Sequence, residues 1–258
     1  MVYYNNIHKL KVGIFDSGIG GLPVYYALKQ KLEMQGIADQ VSIKYLGDTK
    51  NFPYGTKTRE ELSGIVSNNI KLLLSEGCSI IGIACNTASI VFNESAIKDV
   101  HPYIFPIVNI SAQKAANLSS SGVHVISSIF TATSHAYRDL ITQVNPTTVV
   151  TESGEQHLIQ AIEDSDKEII MREVKRIVNK LPENVDTFVL GCTHFYHINE
   201  IISNTLNLYN KQVSIVDPTS EMVETLYQNI TKQLDFVSQP ARSDVVFSGN
   251  TPSQTDID

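Results

Sequence analysis

No stretch of this 258-residue sequence approaches the ~20 consecutive apolar residues needed to cross a bilayer. The first fifteen residues, MVYYNNIHKLKVGIF, also lack the unbroken apolar core and small-residue cleavage site of a secretory signal, so the expected compartment is the cytoplasm. Cysteine is scarce. Cys78, Cys85 and Cys192 are an odd set without CxxC spacing. In a reducing compartment that pattern suits neither a disulfide framework nor a zinc knuckle, and it leaves free thiols open to chemistry. Basic residues are in deficit, 20 Lys and Arg against 27 Asp and Glu, for a net charge of −7. That balance argues against a nucleic-acid partner or an anionic membrane surface and fits a small polar substrate better. What is present is an ordinary globular composition. Its 42% hydrophobic residues can build one large core or two cores of roughly 100–150 residues each.

Lys11-Val-Gly-Ile-Phe15 is a short apolar run that stops at Asp16-Ser-Gly-Ile-Gly-Gly21, after which Leu22, Tyr25, Leu28 and Leu32 recur at helical spacing. The pattern predicts a strand, a tight glycine turn and a helix. Residues 41–46 read as a second strand running into the turn-rich loop 47–55, and 59–76 as a helix. Residues 79–84 read as a third strand that stops at Cys85-Asn-Thr87 before another helix. The second half repeats this grammar, with a strand at 122–126, a helix over 133–144 and a strand at 187–191 ending at Cys192-Thr-His194. Each half therefore has an apolar strand delivering a cysteine. Buried strands alternating with helices, together with this internal rhyme, predict an α/β fold of two pseudo-symmetric, doubly wound lobes with parallel sheets. The active site then lies in an interlobe cleft at the C-terminal ends of the strands. The expected division is 1–107 plus a returning segment 216–258 for the first lobe and 108–215 for the second. Within that segment a helix through Gln233 precedes a polar, irregular tail.

Asp16-Ser-Gly-Ile-Gly-Gly21 is not a dinucleotide fingerprint, because the third glycine of G-x-G-x-x-G falls on Pro23. The Ser17 hydroxyl and the turn amides are expected to cap the following helix, and exposed amides there also suit a carboxylate. Cys78 reads as a small buried hydrophobe. Cys85 and Cys192 differ, since each follows a buried strand and precedes polar residues able to bind a ligand, and a thiol near helix amides and a histidine is readily activated. His194, two residues past Cys192, is a candidate acid/base rather than only a donor to a backbone carbonyl. Cys192, His194 and His197 also form a short Cys/His cluster, but it lacks a clear fourth metal ligand and leaves Cys85 unexplained. No metal is expected.

Taken together, Phe15-Asp-Ser-Gly-Ile-Gly-Gly-Leu22, Tyr45-Leu-Gly-Asp-Thr49, Pro53-Tyr-Gly55, Ala84-Cys-Asn-Thr-Ala88 and Leu190-Gly-Cys-Thr-His194 resemble the glutamate racemases of the aspartate/glutamate racemase superfamily. The similarity runs along nearly the whole chain. It implies two α/β domains that enclose an amino acid, need no pyridoxal phosphate or metal, and use two cysteines as bases. By that resemblance Cys85 takes the proton from the D-enantiomer with help from Asp16. Cys192 takes it from the L-enantiomer with help from His194 and Glu163. Ser17, Asn86, Thr87 and Thr193 match residues holding the α-amino and α-carboxylate groups, and Thr131 is also retained. The loop Pro53-Tyr54-Gly55 receives the side-chain carboxylate on its backbone, and the resemblance also implies a homodimer.

Departures cluster around the expected site. Where glutamate racemases continue Gly-Cys-Thr-His-Tyr-Pro, this chain has Phe195, Tyr196, His197 and Ile198, and the segment before Glu163 is unusually polar, with Glu155, Gln156 and His157. Phe130 and the run 195–197 are expected to fill space that the longer substrate needs, which makes aspartate a rival to glutamate. Two other readings stand beside the racemase. One is a cysteine hydrolase with Cys192, His194 and Glu163 as nucleophile, base and orienter, which leaves Cys85 idle. The other is a non-catalytic amino-acid binding module.

Overall fold

The computed structural model describes residues 9–99 and 101–238. The polar tail expected beyond the last helix lies largely outside them. The first sheet is formed by β1 (Leu10–Asp16), β2 (Val41–Gly47), β3 (Ile80–Ile83) and β4 (Ile104–Pro106), in the order β2-β1-β3-β4. The second is formed by β5 (Gly122–Ser127), β6 (Val149–Gly154), β7 (Thr187–Gly191) and β8 (Ser214–Val216), in the order β6-β5-β7-β8. Every pairing in both sheets is parallel. The two lobes thus repeat one topology strand for strand, as the sequence rhyme predicts.

The central strands are the apolar ones because a parallel sheet is covered on both faces. β3 and β7 are buried at every position. The edge strands β4 and β6 carry no such run: β4 is three residues closing on Pro106, and β6 holds Thr151, Glu152 and Ser153. They escape a reading of apolar periodicity for that reason. The register sets the site. Phe15 lies opposite Ile83 in the first sheet and Ser127 opposite Gly191 in the second, so Asp16, Cys85, Ser128 and Cys192 all emerge at strand C-termini.

Helix α1 (Leu22–Met34) buries Val24, Leu28 and Leu32 against the first sheet, and α2 (Arg59–Ser75) begins with a capping box between Thr58 and Glu61. α3 (Asn86–Glu94) and α4 (Ile107–Leu118) follow β3 and β4. The single helix expected over 133–144 is instead two, α5 (Ile129–Ser134) and α6 (Ala136–Val144), broken at His135 with φ 58° and ψ 17°. The break lets α5 start on the end of β5, with Ser128 Oγ capping Thr131 N, and turns Tyr137 inward to full burial. α7 (Gln156–Glu163), α8 (Lys167–Asn179) and α9 (Asn199–Leu208) complete the second lobe. The last helix, α10 (Pro218–Ser238), runs five residues past its expected end and packs on α1, α4 and β3. One continuous apolar cluster joins the lobes, including Val12 and Ile14 of β1, Val123 and Val125 of β5, and Met222 and Leu226 of α10.

Candidate active site

A cavity of about 440 Å3 lies where the C-terminal ends of the two sheets face each other. The first lobe lines it with Ser17, the 52–55 loop and Cys85, Asn86 and Thr87. The second lines it with Ser128, Gln156, Ile159 and the 191–194 turn. Both strand-end cysteines therefore reach one space. Cys78 does not; it is buried in the first-lobe core.

Cys85 caps α3 through its sulfur, which accepts from Ala88 N at 3.5 Å, while its S–H donates to Ser17 Oγ at 3.4 Å. Ser17 is therefore a partner of the thiol. It does not cap α1, whose N-cap position is Gly21 with no side-chain cap. Burial, then the nearby Asp16 carboxyl, pushes the Cys85 thiol up to about 12. Asp16 is itself fully buried. Its Oδ1 accepts from Gly18 N at 2.9 Å, and its Oδ2 has no partner. That burial raises its pKa, opposed by the Gly18 amide and the charge of His194.

The glycine turn permits this closeness. A Cβ on Gly20 would stand 2.5 Å from Thr193 Oγ1 of the other lobe, and one on Gly21 would stand 2.8 Å from the Asp16 Cβ. Any side chain at either position would force the lobes or the turn apart.

On the opposite wall Cys192 Sγ lies 3.4 Å from His194 Nδ1, and His194 Nε2 makes a short contact to Glu163 at the end of α7. Burial alone would lower the His194 pKa. Cys192 first and Glu163 second outweigh it and hold the ring up to about 10. The two thiols thus sit in unlike surroundings, one beside buried neutral-favouring groups and one beside an imidazolium.

Asn86 Oδ1 accepts from Tyr137 OH at 2.7 Å, which leaves its buried Nδ2 without a protein partner. Thr87 Oγ1 lies 3.2 Å from Ser128 Oγ, and Ser128 donates to Thr131 Oγ1 at 3.1 Å. Thr131 is 1% exposed and stands behind Thr87 and Ser128 rather than on the cavity wall. Asp16 and Glu163 also act from behind the wall. Tyr54 turns its phenol away from the cavity to donate to Asp48 at 2.6 Å, and Asn51 and Asn69 donate to the same carboxylate. Although burial opposes it, these donors hold Asp48 below its ordinary value. The 52–55 loop is therefore pinned by this network, and Phe52, Pro53, Tyr54 and Gly55 line the cavity.

A family model for Asp/Glu/hydantoin racemases matches residues 22–226. The chain belongs to this racemase family. The glutamate racemase of Fusobacterium nucleatum is 31% identical to this racemase over 245 residues, 92% of this chain and 87% of that one. The glutamate racemase of Lactobacillus acidophilus is 32% identical over 216 residues, 83% and 78% of the two chains. Among solved structures, Francisella tularensis glutamate racemase in complex with D-glutamate matches with a TM-score of 0.74 and 26% identity, covering 88% of this chain and 82% of that one.

The residues expected to shorten the pocket of this racemase are elsewhere. Phe195 is fully buried in the second-lobe core, Tyr196 is 41% exposed, and Phe130 lies under the Arg59 guanidinium, outside the cavity. His197 is likewise off the cavity wall. Proximity in sequence to Cys192 misled, because past His194 the 3-10 turn carries Phe195 and Ile198 into the second-lobe core. Phe52, Ser128, Gln156 and Ile159 line it instead. Aligning the ends of β1 and β5 pairs Ser17 with Ser128 and would have revealed the second. Phe52, Gln156 and Ile159 carry no comparable signal. Among the described residues no three His, Cys, Asp or Glu side chains converge as a metal site, and no helix is long and apolar enough to cross a membrane.

Proposed function

We propose that this racemase interconverts the enantiomers of an acidic amino acid, glutamate or aspartate, by passing protons through Cys85 and Cys192. The observation that carries the reading is the pair of thiols at equivalent strand ends of opposed lobes, both on the wall of one cavity. Inversion at Cα needs a base on one face and an acid on the other, because a single base returns the proton to the side it left.

In the L-to-D direction Cys192, as thiolate beside the His194 imidazolium, takes the α-proton. The electron pair left on Cα spreads into the α-carboxylate, and the Cys85 thiol delivers its own proton to the opposite face. The cycle closes when Cys192 passes its proton outward and Cys85 is reprotonated with Asp16 alongside. The reverse direction exchanges the roles. Ser17, Thr87, Thr193 and the unpartnered Asn86 amide supply donors for the α-carboxylate and acceptors for the ammonium, and the buried setting strengthens each contact. The cysteine-hydrolase alternative uses only half of this wall.

Polarimetry with L-glutamate and L-aspartate tests the reading. Loss of optical rotation with either acid supports it, and inactivity toward both, with turnover of a neutral amino acid, overturns it.

A further inference from the structure

We propose that Gln156 binds the far end of the substrate and donates a hydrogen bond to its side-chain carboxylate; the inference rests on the acidic-amino-acid reading above. Gln156 is the first residue of α7 and lines the same cavity as both thiols. Its amide oxygen is buried and has no hydrogen-bond partner. That oxygen lies 3.3 Å from where a Cβ on Gly55 would stand, and Ser128 Cβ closes on the same point at 3.3 Å. Gly55, Ser128 and Gln156 therefore converge on one corner of the cavity.

This corner holds no thiol, carboxylate or imidazole. With the thiols committed to the two faces of Cα, it takes the part of the substrate that undergoes no chemistry. Among the described residues the cavity wall includes no lysine or arginine, and its one histidine is engaged by Cys192 and Glu163. A second carboxylate must then be met by neutral donors. A primary amide provides them, because half a turn about its last torsion exchanges the oxygen for an NH2. The same rotation relieves a buried acceptor that otherwise has no donor.

The backbone that carries this side chain is anchored beforehand. Its neighbour Glu155 pairs with Arg176 of α8, and Arg176 is itself fixed by Glu173 at 2.7 Å. Ile159, one turn along α7, lines the cavity beside it. Together they set how far the second carboxylate stands from Cα.

Two substitutions separate hydrogen bonding from packing. Gln156→Met keeps the length without the amide, and Gln156→Glu keeps the shape but replaces a donor with a negative charge. Both variants are compared with wild type on L-glutamate and L-aspartate, with thermal melting as the check on folding. Losing a hydrogen bond to a charged group raises KM about tenfold in Gln156→Met, with more in Gln156→Glu, while kcat stays within about threefold. A folded Gln156→Met within about twofold of wild type in KM for the preferred acid overturns the inference and leaves the racemase reading intact. An equal loss in Met and Glu variants carried by kcat also overturns it. Inactivity of wild type toward both acids removes the underlying reading, and this inference with it.

Discussion

Replacing Glu163 with glutamine tests whether the two thiols are as unlike as their surroundings. In the native site burial opposes the His194 charge, yet Cys192 and Glu163 raise the ring from 6.5 to about 10. The imidazolium therefore persists through neutral pH and is lost only as pH climbs toward that value. Glutamine preserves the size of Glu163 and an oxygen for His194 Nε2 but removes the charge. A hydrogen bond to a charged group contributes about 1.5–3 kcal/mol and a neutral one about 1, so the loss is on the order of 1 kcal/mol, or just under one pKa unit. Cys192 remains, so most of the elevation survives. Because burial pushes Cys85 up to about 12, the alkaline limb below it follows the loss of the His194 charge. The limb of kcat/KM should move acidward by about one unit in Glu163→Gln. It must do so equally in both directions, since enantiomers have equal free energies. Stability moves with it. A raised cationic pKa stabilises fully below 6.5 and loses that contribution as pH rises through about 10, so the variant melts ~2–4 °C lower at neutral pH and the gap closes above 10. A folded variant whose alkaline limb stays put refutes the assignment of His194.

Two further outcomes follow from the same geometry and a third from the family resemblance alone. Cys85→Ser should abolish racemisation yet still exchange the α-proton of the L-enantiomer with deuterated solvent, and Cys192→Ser should do the same for the D-enantiomer; either variant racemising near the wild-type rate removes the two-base reading. Turnover should survive exhaustive chelation and removal of pyridoxal phosphate, because the thiols and their neighbours supply every proton the reaction needs; activity that is lost and then restored by a metal contradicts this. Light scattering should give a homodimer, and a monomer at every concentration assayed would discard that expectation.

The site residues legible in the sequence are those at strand ends. Asp16, Cys85 and Cys192 each terminate an apolar run, and parallel strands bring such positions to one edge of each sheet; that the two edges share a cavity is given by the structure. Helical and edge positions were less legible. Thr131 keeps the expected type but stands behind Thr87, because the break at His135 and the short α5 set its depth. Phe195 is adjacent to Cys192 and His194 in sequence yet faces the second-lobe core. Gln156 is distant from every motif and arrives because the chain entering α7 is tied to the end of β5 by Glu155 N donating to Ser127 O. Spacing along the chain carries strand-end geometry faithfully. It carries little about which face of a separate helix looks into a shared cavity.

The fold is symmetric and the chemistry is not, and the reaction needs both. Repeating one four-stranded topology places two thiols at equivalent ends, which is how opposed lobes address opposite faces of one carbon. Identical surroundings would leave the two thiols equally ready to hold the one proton, whereas unlike surroundings set which of them holds it at rest. Here Asp16 and burial keep Cys85 a thiol, whereas the imidazolium of His194 sits beside Cys192. On the two-base reading proposed above, the resting site takes a proton on the Cys192 side and gives one on the Cys85 side. Equal kcat/KM in the two directions then requires that the rarer arrangement, with the proton moved from Cys85 to Cys192, react proportionally faster with the D-enantiomer. The substrate provides a means: its ammonium brings a positive charge into a cavity where burial raises the pKa of both Cys85 and Asp16, and a charge within a few ångströms in a low-dielectric site shifts both toward their ionised forms. Asymmetry in the empty site is then offset by the charge that binding itself supplies.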